Sequence, residues 1–81
     1  MKTRLRGVKR VFITGDFIRL DALLKYAAVA STGGEAKALI QDGNVYINGE
    51  ACNMRGKKVK PGEVVRCAGD VLLVRQRISN T

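Results

Sequence analysis

The stretch TGGEAKALIQDGNVYING, from Thr32 to Gly49, leaves little freedom in local structure. Thr32 and Glu35 have the T-x-x-E spacing of a capping box, with Thr32 as N-cap and Glu35 at the third helical position. Ala36, Leu39 and Ile40 continue at helical spacing, and Gly43 stands where a left-handed C-terminal cap belongs. A short helix over 33–42 is therefore expected. Val45-Tyr46-Ile47 then alternates as a strand, and Asn48-Gly49 is the strongest short hairpin signal. Glu50 to Cys52 begins the return strand.

The flanks extend this pattern. VKRVFIT, Val8 to Thr14, reads as a strand with Val11 and Ile13 on one side and Phe12 on the other. Gly15-Asp16 breaks it. In FIRLDALLKYAAVA, Leu20, Leu23, Leu24, Ala27 and Ala28 recur at helical spacing, while Arg19, Asp21, Lys25 and Tyr26 fall off the stripe. This is a first helix, joined to the second by a tight turn. After the hairpin come a basic loop (Arg55–Lys60), a Pro61-Gly62 turn, a strand at Val64–Cys67, a Gly69-Asp70 turn and a strand at Val71–Arg75. The tail QRISNT, 76–81, reads as loose, and residues 1–7 as a frayed basic arm. Phe12 and Phe17 are assigned to the core. The order of strand, two helices and several short strands implies an α+β fold, with the helix pair on one side of an antiparallel sheet.

With 81 residues the expectation is one domain, 1–81, with room for a single core and no deep substrate pocket beside it. The chain begins at Met1 and reads as complete. Fifteen Lys and Arg against seven Asp and Glu give a net charge of +8, which suits a polyanionic partner. The cations cluster. Lys2, Arg4, Arg6, Lys9 and Arg10 fall in the first ten residues, and Arg55, Lys57, Lys58 and Lys60 within six, neither group containing an acid. Cys52 and Cys67 match no zinc spacing, and the chain has no histidine to complete a site. They read as reduced thiols of a cytoplasmic protein. The basic N-terminus lacks the apolar segment of a signal peptide, and no apolar run is long enough to span a membrane.

Several chemistries are disfavoured. A phosphate-binding loop of the G-x-x-x-x-G-K-[ST] type is not matched by GGEAK, and a helix rather than a strand precedes these glycines. Without histidine the commonest general base is missing, and the carboxylates are scattered, so the chain is read as a non-enzyme with no cofactor. Gly33-Gly34 keeps two readings. Either the turn needs glycine for steric reasons, or the bare backbone at a helix start lets a phosphate approach. In the basic loop, mutual repulsion favours a counter-charge, which phosphate oxygens supply without sequence readout. Aromatics are few, namely Phe12, Phe17, Tyr26 and Tyr46. Single-strand binders usually offer several for stacking, so folded or double-stranded nucleic acid is favoured. Tyr46 is read as exposed, as either a stacking or a plain surface residue.

The order of these elements resembles the S-four-type RNA-binding domain, or alpha-L motif. Its pattern is R-L-D, a helix, then S-R-x-x-A-x-x-L-I-x-x-G-x-V-x-V-N-G. Arg19-Leu20-Asp21, Ala36, Leu39, Ile40, Gly43, Val45, Ile47, Asn48 and Gly49 match at the family's spacing, and RGKKVKPGEVV resembles the basic turn and strand that follow. The resemblance covers roughly 17–67. Thr32-Gly33 replaces the usual S-R pair, as in small stand-alone bacterial members, so Lys37 or the Gly33-Gly34 backbone would take over the phosphate contact. The resemblance implies two short helices on a small antiparallel or mixed sheet of four to five strands. It also implies binding to structured RNA, ribosomal or transfer, in the manner of the small ribosome-associated members; separately, the chain is expected to be a monomer.

The candidate contacts are Arg19, Lys25 and Lys37 from the helix pair, with Arg55, Lys57 and Lys58 from the loop, as one positive surface. Thr32, Gly33, Gly34, Asn44 and Lys60 complete the set. The competing readings are an adaptor for an acidic protein and a double-stranded DNA binder using the same face.

Overall fold

The computed structural model describes residues 7–77. The expectations for Lys2, Arg4 and Arg6 in the arm, and for 78–81 in the tail, lie outside these residues. The elements in chain order are β1 (Val8–Ile13), β2 (Ile18–Arg19), α1 (Leu20–Tyr26), α2 (Gly33–Gln41), β3 (Val45–Ile47), β4 (Glu50–Ala51), β5 (Lys58–Val59), β6 (Val64–Cys67) and β7 (Asp70–Gln76). Five strands form one sheet in the order β1-β7-β6-β3-β4, and β2 pairs with β5 apart from it. The fold is α+β. The large sheet is mixed, because β1 runs parallel to β7 while its other pairings are antiparallel.

Alternation along each strand sends Val11, Ile13, Val45, Ile47, Val65, Cys67, Leu72 and Val74 to one face, where all are buried. Leu20, Leu23 and Leu24 of α1 and Ala36 and Ile40 of α2 close over that face, each fully buried. The apolar helix stripe and the period-two strand pattern thus meet in one core.

Local chemistry sets the ends of α2. The Thr32 hydroxyl accepts the Glu35 N–H at 3.1 Å, and the Glu35 carboxylate reaches back to the Ser31 N–H. This is a capping box displaced by one residue on its return bond. Gly43 has φ +81° just beyond the helix, as the expected left-handed cap requires. Asn48 and Gly49 both have positive φ, 52° and 88°, which defines a type I′ turn. Asn48 also ties the hairpin to β6: its N–H donates to the Val64 carbonyl at 2.8 Å, and its Oδ1 accepts the Val64 N–H at 3.0 Å. A Cβ at Gly49 would meet nothing within 4 Å, so crowding adds no penalty beyond the backbone strain. Gly49→Val should accordingly lower stability by about 1 kcal/mol or more, read as a fall in urea midpoint at unchanged slope.

Five expectations change. Helix α1 ends at Tyr26, so Ala28 does not extend its stripe: Ala28 is exposed at φ 63° and turns the chain toward α2. The last sheet turn sits one residue earlier than Gly69-Asp70. Ala68 and Gly69 hold the positive φ values, and Asp70 opens β7 opposite Cys67. The basic loop is not wholly irregular, because Lys58-Val59 forms β5. The start of the tail is not loose: Gln76 ends β7, its amide donates to the carbonyls of Thr14 and Gly15, and the Arg77 N–H donates to the Ile13 carbonyl at 2.7 Å. Phe12 and Phe17 are not core residues, being 44% and 42% exposed. Val11 and Ile13 already occupy the covered side of β1, so the pleat sends Phe12 to the other side. Phe17 lies in the connection between β1 and β2, outside the sheet.

Both cysteines are free thiols. Cys67 is buried, and burial first, with the Asp70 carboxylate second, pushes its thiol above the ordinary range. A raised value means less thiolate at neutral pH, and the thiolate is the reactive form. In the folded protein half-buried Cys52 should label with a maleimide well before Cys67. Both should label after denaturation without reductant. Equal native rates would contradict the burial.

Candidate nucleic-acid interface

Sequence places Arg19 and the Arg55–Lys58 segment more than thirty positions apart, and two kinds of backbone contact join them. In the β2–β5 ladder Ile18 faces Val59 and Arg19 faces Lys58. The first N–H groups of α1 then donate into the loop, Leu20 N–H to the Lys57 carbonyl at 2.8 Å and Asp21 N–H to the Arg55 carbonyl at 3.1 Å. The opening amides of a helix have no intrahelical acceptor, and here the basic segment supplies one. Fully buried Leu20 and Val59 pin this junction from beneath.

The Arg-Leu-Asp order of residues 19–21 now has a physical account. Leu20 enters the core. Asp21 accepts the Ala22 N–H at 2.8 Å and receives the Arg19 guanidinium through two bonds of 3.2 Å. Such a fork presets Arg19, whose side chain remains 56% exposed and retains unused donors. The pair is a surface one, so its direct contribution to stability is small. Gly56 lies directly beside this guanidinium: a Cβ there would sit 3.7 Å from Arg19 Nη2. Lys58 Nζ stands 4.9 Å from the Phe17 ring centroid, within cation–π range.

The structure thus gathers Arg19, Arg55, Lys57 and Lys58 at the start of α1, all exposed. Lys60 follows β5 and is exposed, but its backbone N–H donates to Glu63 Oε1 at 2.7 Å, so a carboxylate stands beside it. Lys25 is exposed in the last turn of α1, one helical turn beyond Asp21. Thr32, Gly33, Gly34 and Lys37 occupy the exposed first half of α2. Asn44 belongs to a different feature, a shallow depression of about 460 Å³ that it lines with Tyr46 and Arg66.

Of the two readings of Gly33-Gly34, the steric one loses its basis. Neither glycine has positive φ; a Cβ at Gly33 would meet nothing within 4 Å, and at Gly34 only the Thr32 hydroxyl, at 3.9 Å. The backbone geometry therefore does not demand glycine at either position.

Sequence reasoning missed Phe17 as a companion of Lys58. The signal was indirect, since only the β2–β5 pairing brings the two together.

Comparisons with known proteins bear on the family of the chain. Residues 11–75 match the S4 domain family. The chain is 37% identical over 59 residues to the probable ribosome maturation protein RlbA of Bacillus subtilis, a match covering 73% of this chain and 83% of that protein. It is 38% identical over 47 residues to small ribosomal subunit protein uS4 of Novosphingobium aromaticivorans, and 40% identical over 47 residues to uS4 of Sphingopyxis alaskensis. Each uS4 match covers 58% of this chain, which spans only 23% of those longer proteins. The match reaches beyond 17–67 to take in most of β7 and part of β1. From the capped second helix and its hairpin to the outer strands, the chain belongs to the S4 domain family.

Proposed function

We propose that the protein is an RNA-binding module that docks on structured RNA, ribosomal or transfer, and works on the ribosome. The observation that carries this reading is the fastening of Arg55–Lys58 to the start of α1, which holds four exposed cations together. Like charges held in proximity repel unless a polyanion meets them, and phosphate groups along a duplex supply that charge. Lys25 and Lys37 extend the surface along the helix pair. Helical side chains lean toward the N-terminus, which carries Lys37 toward the uncovered backbone of Gly33 and Gly34. A phosphate approaching there would meet free N–H groups. The names of its relatives, a ribosomal subunit protein and a probable ribosome maturation protein, support the same setting. The module acts as a monomer and contributes no catalytic step.

Filter binding tests this directly. A hairpin RNA should bind more tightly than an unstructured RNA oligomer and more tightly than duplex DNA of the same sequence. Co-purification of ribosomal particles from cell extract should be lost on RNase treatment. Preference for the single strand or for the DNA would defeat the reading. Nuclease-resistant association with a protein would assign the basic surface to an acidic partner instead.

A further inference from the structure

Three of the four aromatic residues, dispersed in sequence, converge on one groove. Phe12 from β1, Phe17 from the β1–β2 connection and Tyr26 from the end of α1 line a cavity of about 450 Å³ together with Arg77. All three rings are substantially exposed, at 44%, 42% and 62%. Exposed aromatics scattered singly need no explanation, whereas three facing one open cavity do.

The groove is held in shape from several sides. Gln76 clamps the carbonyls of Thr14 and Gly15 at 3.4 and 3.2 Å, fixing the connection between Phe12 and Phe17. The Arg77 N–H is tied to Ile13, and Lys9 Nζ caps the end of α1 by donating to the Ala27 carbonyl at 3.0 Å, next to Tyr26. The rings are therefore presented on a braced frame.

Its rim is cationic. Arg77 lines the cavity, and Arg10 lines an adjoining one of about 280 Å³ that shares Phe12, Tyr26 and Arg77. Lys58 Nζ stands 4.9 Å from the centroid of the Phe17 ring. Among the described residues, no carboxylate lines either cavity. An apolar peptide would need the aromatics but not the cations. A nucleotide uses both, the flat base against the rings and the phosphate against Arg and Lys. The groove adjoins the basic surface through Phe17, which lines the cavity and has Lys58 Nζ 4.9 Å from its ring centroid.

We infer that this groove takes an unpaired base of the same RNA whose helical part lies on the basic surface, so that the protein recognises the junction between paired and unpaired RNA. The inference rests on the proposed RNA-binding function. It revises the view that scarce aromatics exclude base stacking: the chain has few, but the fold concentrates them.

The test compares a blunt hairpin RNA with the same hairpin carrying a short unpaired extension that contains a fluorescent adenine analogue. The wild-type protein should bind the extended hairpin between about fivefold and a hundredfold more tightly, the range for one stacked base, and should quench the analogue. Phe12→Leu and Tyr26→Leu, singly and combined, keep apolar bulk but remove the stacking face. They should abolish the gain and the quenching while leaving blunt-hairpin affinity and its salt slope unchanged. If the combined variant melts early, Phe12→Leu alone decides the matter, because Phe12 lies outside the core.

Equal wild-type affinity for the two hairpins would overturn the inference and leave the proposed function standing. Retention of the gain by the leucine variants would overturn it as well. Failure of the wild type to bind either hairpin would remove both readings. If the leucine variants instead lose a protein partner from RNase-treated extract, with no quenching in the wild type, the groove is a protein-docking site and the inference falls.

Discussion

Lys57→Ala combined with Lys58→Ala should weaken hairpin RNA binding and flatten the slope of log affinity against log salt by roughly 1.5. Each cation that neutralises a phosphate releases condensed counterions, and each lost contact lowers the slope by about 0.7 to 0.9. The fold should survive. Lys57 and Lys58 are exposed, and what they contribute to the scaffold is backbone: the Lys57 carbonyl that accepts the Leu20 N–H, and the Lys58 position in the β2–β5 ladder. Alanine keeps both. The melting temperature should stay within a few degrees of wild type while the salt dependence changes. Lys2→Ala with Arg4→Ala is the matched control and should matter less. Loss of affinity and slope in that control, with the loop variant unaffected, would make the protein a binder through a basic tail and refute the surface at α1.

Leu24→Ala should act in the opposite way, on the scaffold rather than on the slope. Its side chain is fully buried between the helix pair and the sheet, and its carbonyl accepts both the Val29 and the Ala30 N–H groups, at 2.9 and 3.1 Å. The turn that brings α2 against α1 is thus folded around this residue. Truncating a buried leucine costs about 2–5 kcal/mol, through lost transfer energy and the cavity that remains. A small domain has a total stability on the order of 0.05–0.15 kcal/mol per residue, so this change removes much of it. A large fall in the chemical denaturation midpoint is expected. RNA affinity should fall at warm temperature through unfolding and recover on cooling, with the salt slope of the wild type. A stable Leu24→Ala variant would mean that the core closes without the α1–α2 contact.

How much of this was legible in the sequence depends on how far apart the interacting residues lie. The Thr32 cap is a contact over three positions, and the Asn48-Gly49 turn is set by two adjacent backbone conformations. Leu20, Leu23 and Leu24 mark a helix face through spacing alone. Each was readable because the determining atoms are neighbours along the chain. The cations of 55–58 were visible as a cluster, but a list of charges does not say which helix they face.

The tertiary structure decided everything that depends on distant partners. The parallel pairing of β1 with β7 joins residues about sixty positions apart, and no local pattern distinguishes it from an antiparallel edge. The two-residue β2–β5 ladder is too short for any periodicity, yet it brings Arg19 to Lys58 and stands Lys58 over Phe17. Phe12 illustrates the limit. Alternation correctly set it opposite Val11 and Ile13, but hydrophobicity argued for burial, and only the packing of both helices on the other face left it exposed. By itself the sequence determined the cap and start of α2 and the Asn48-Gly49 turn, because those choices are made by hydrogen bonds and steric limits within a few residues. Which cations share a surface, and which aromatics share a groove, was decided only when distant strands paired, because burial and proximity belong to the folded whole.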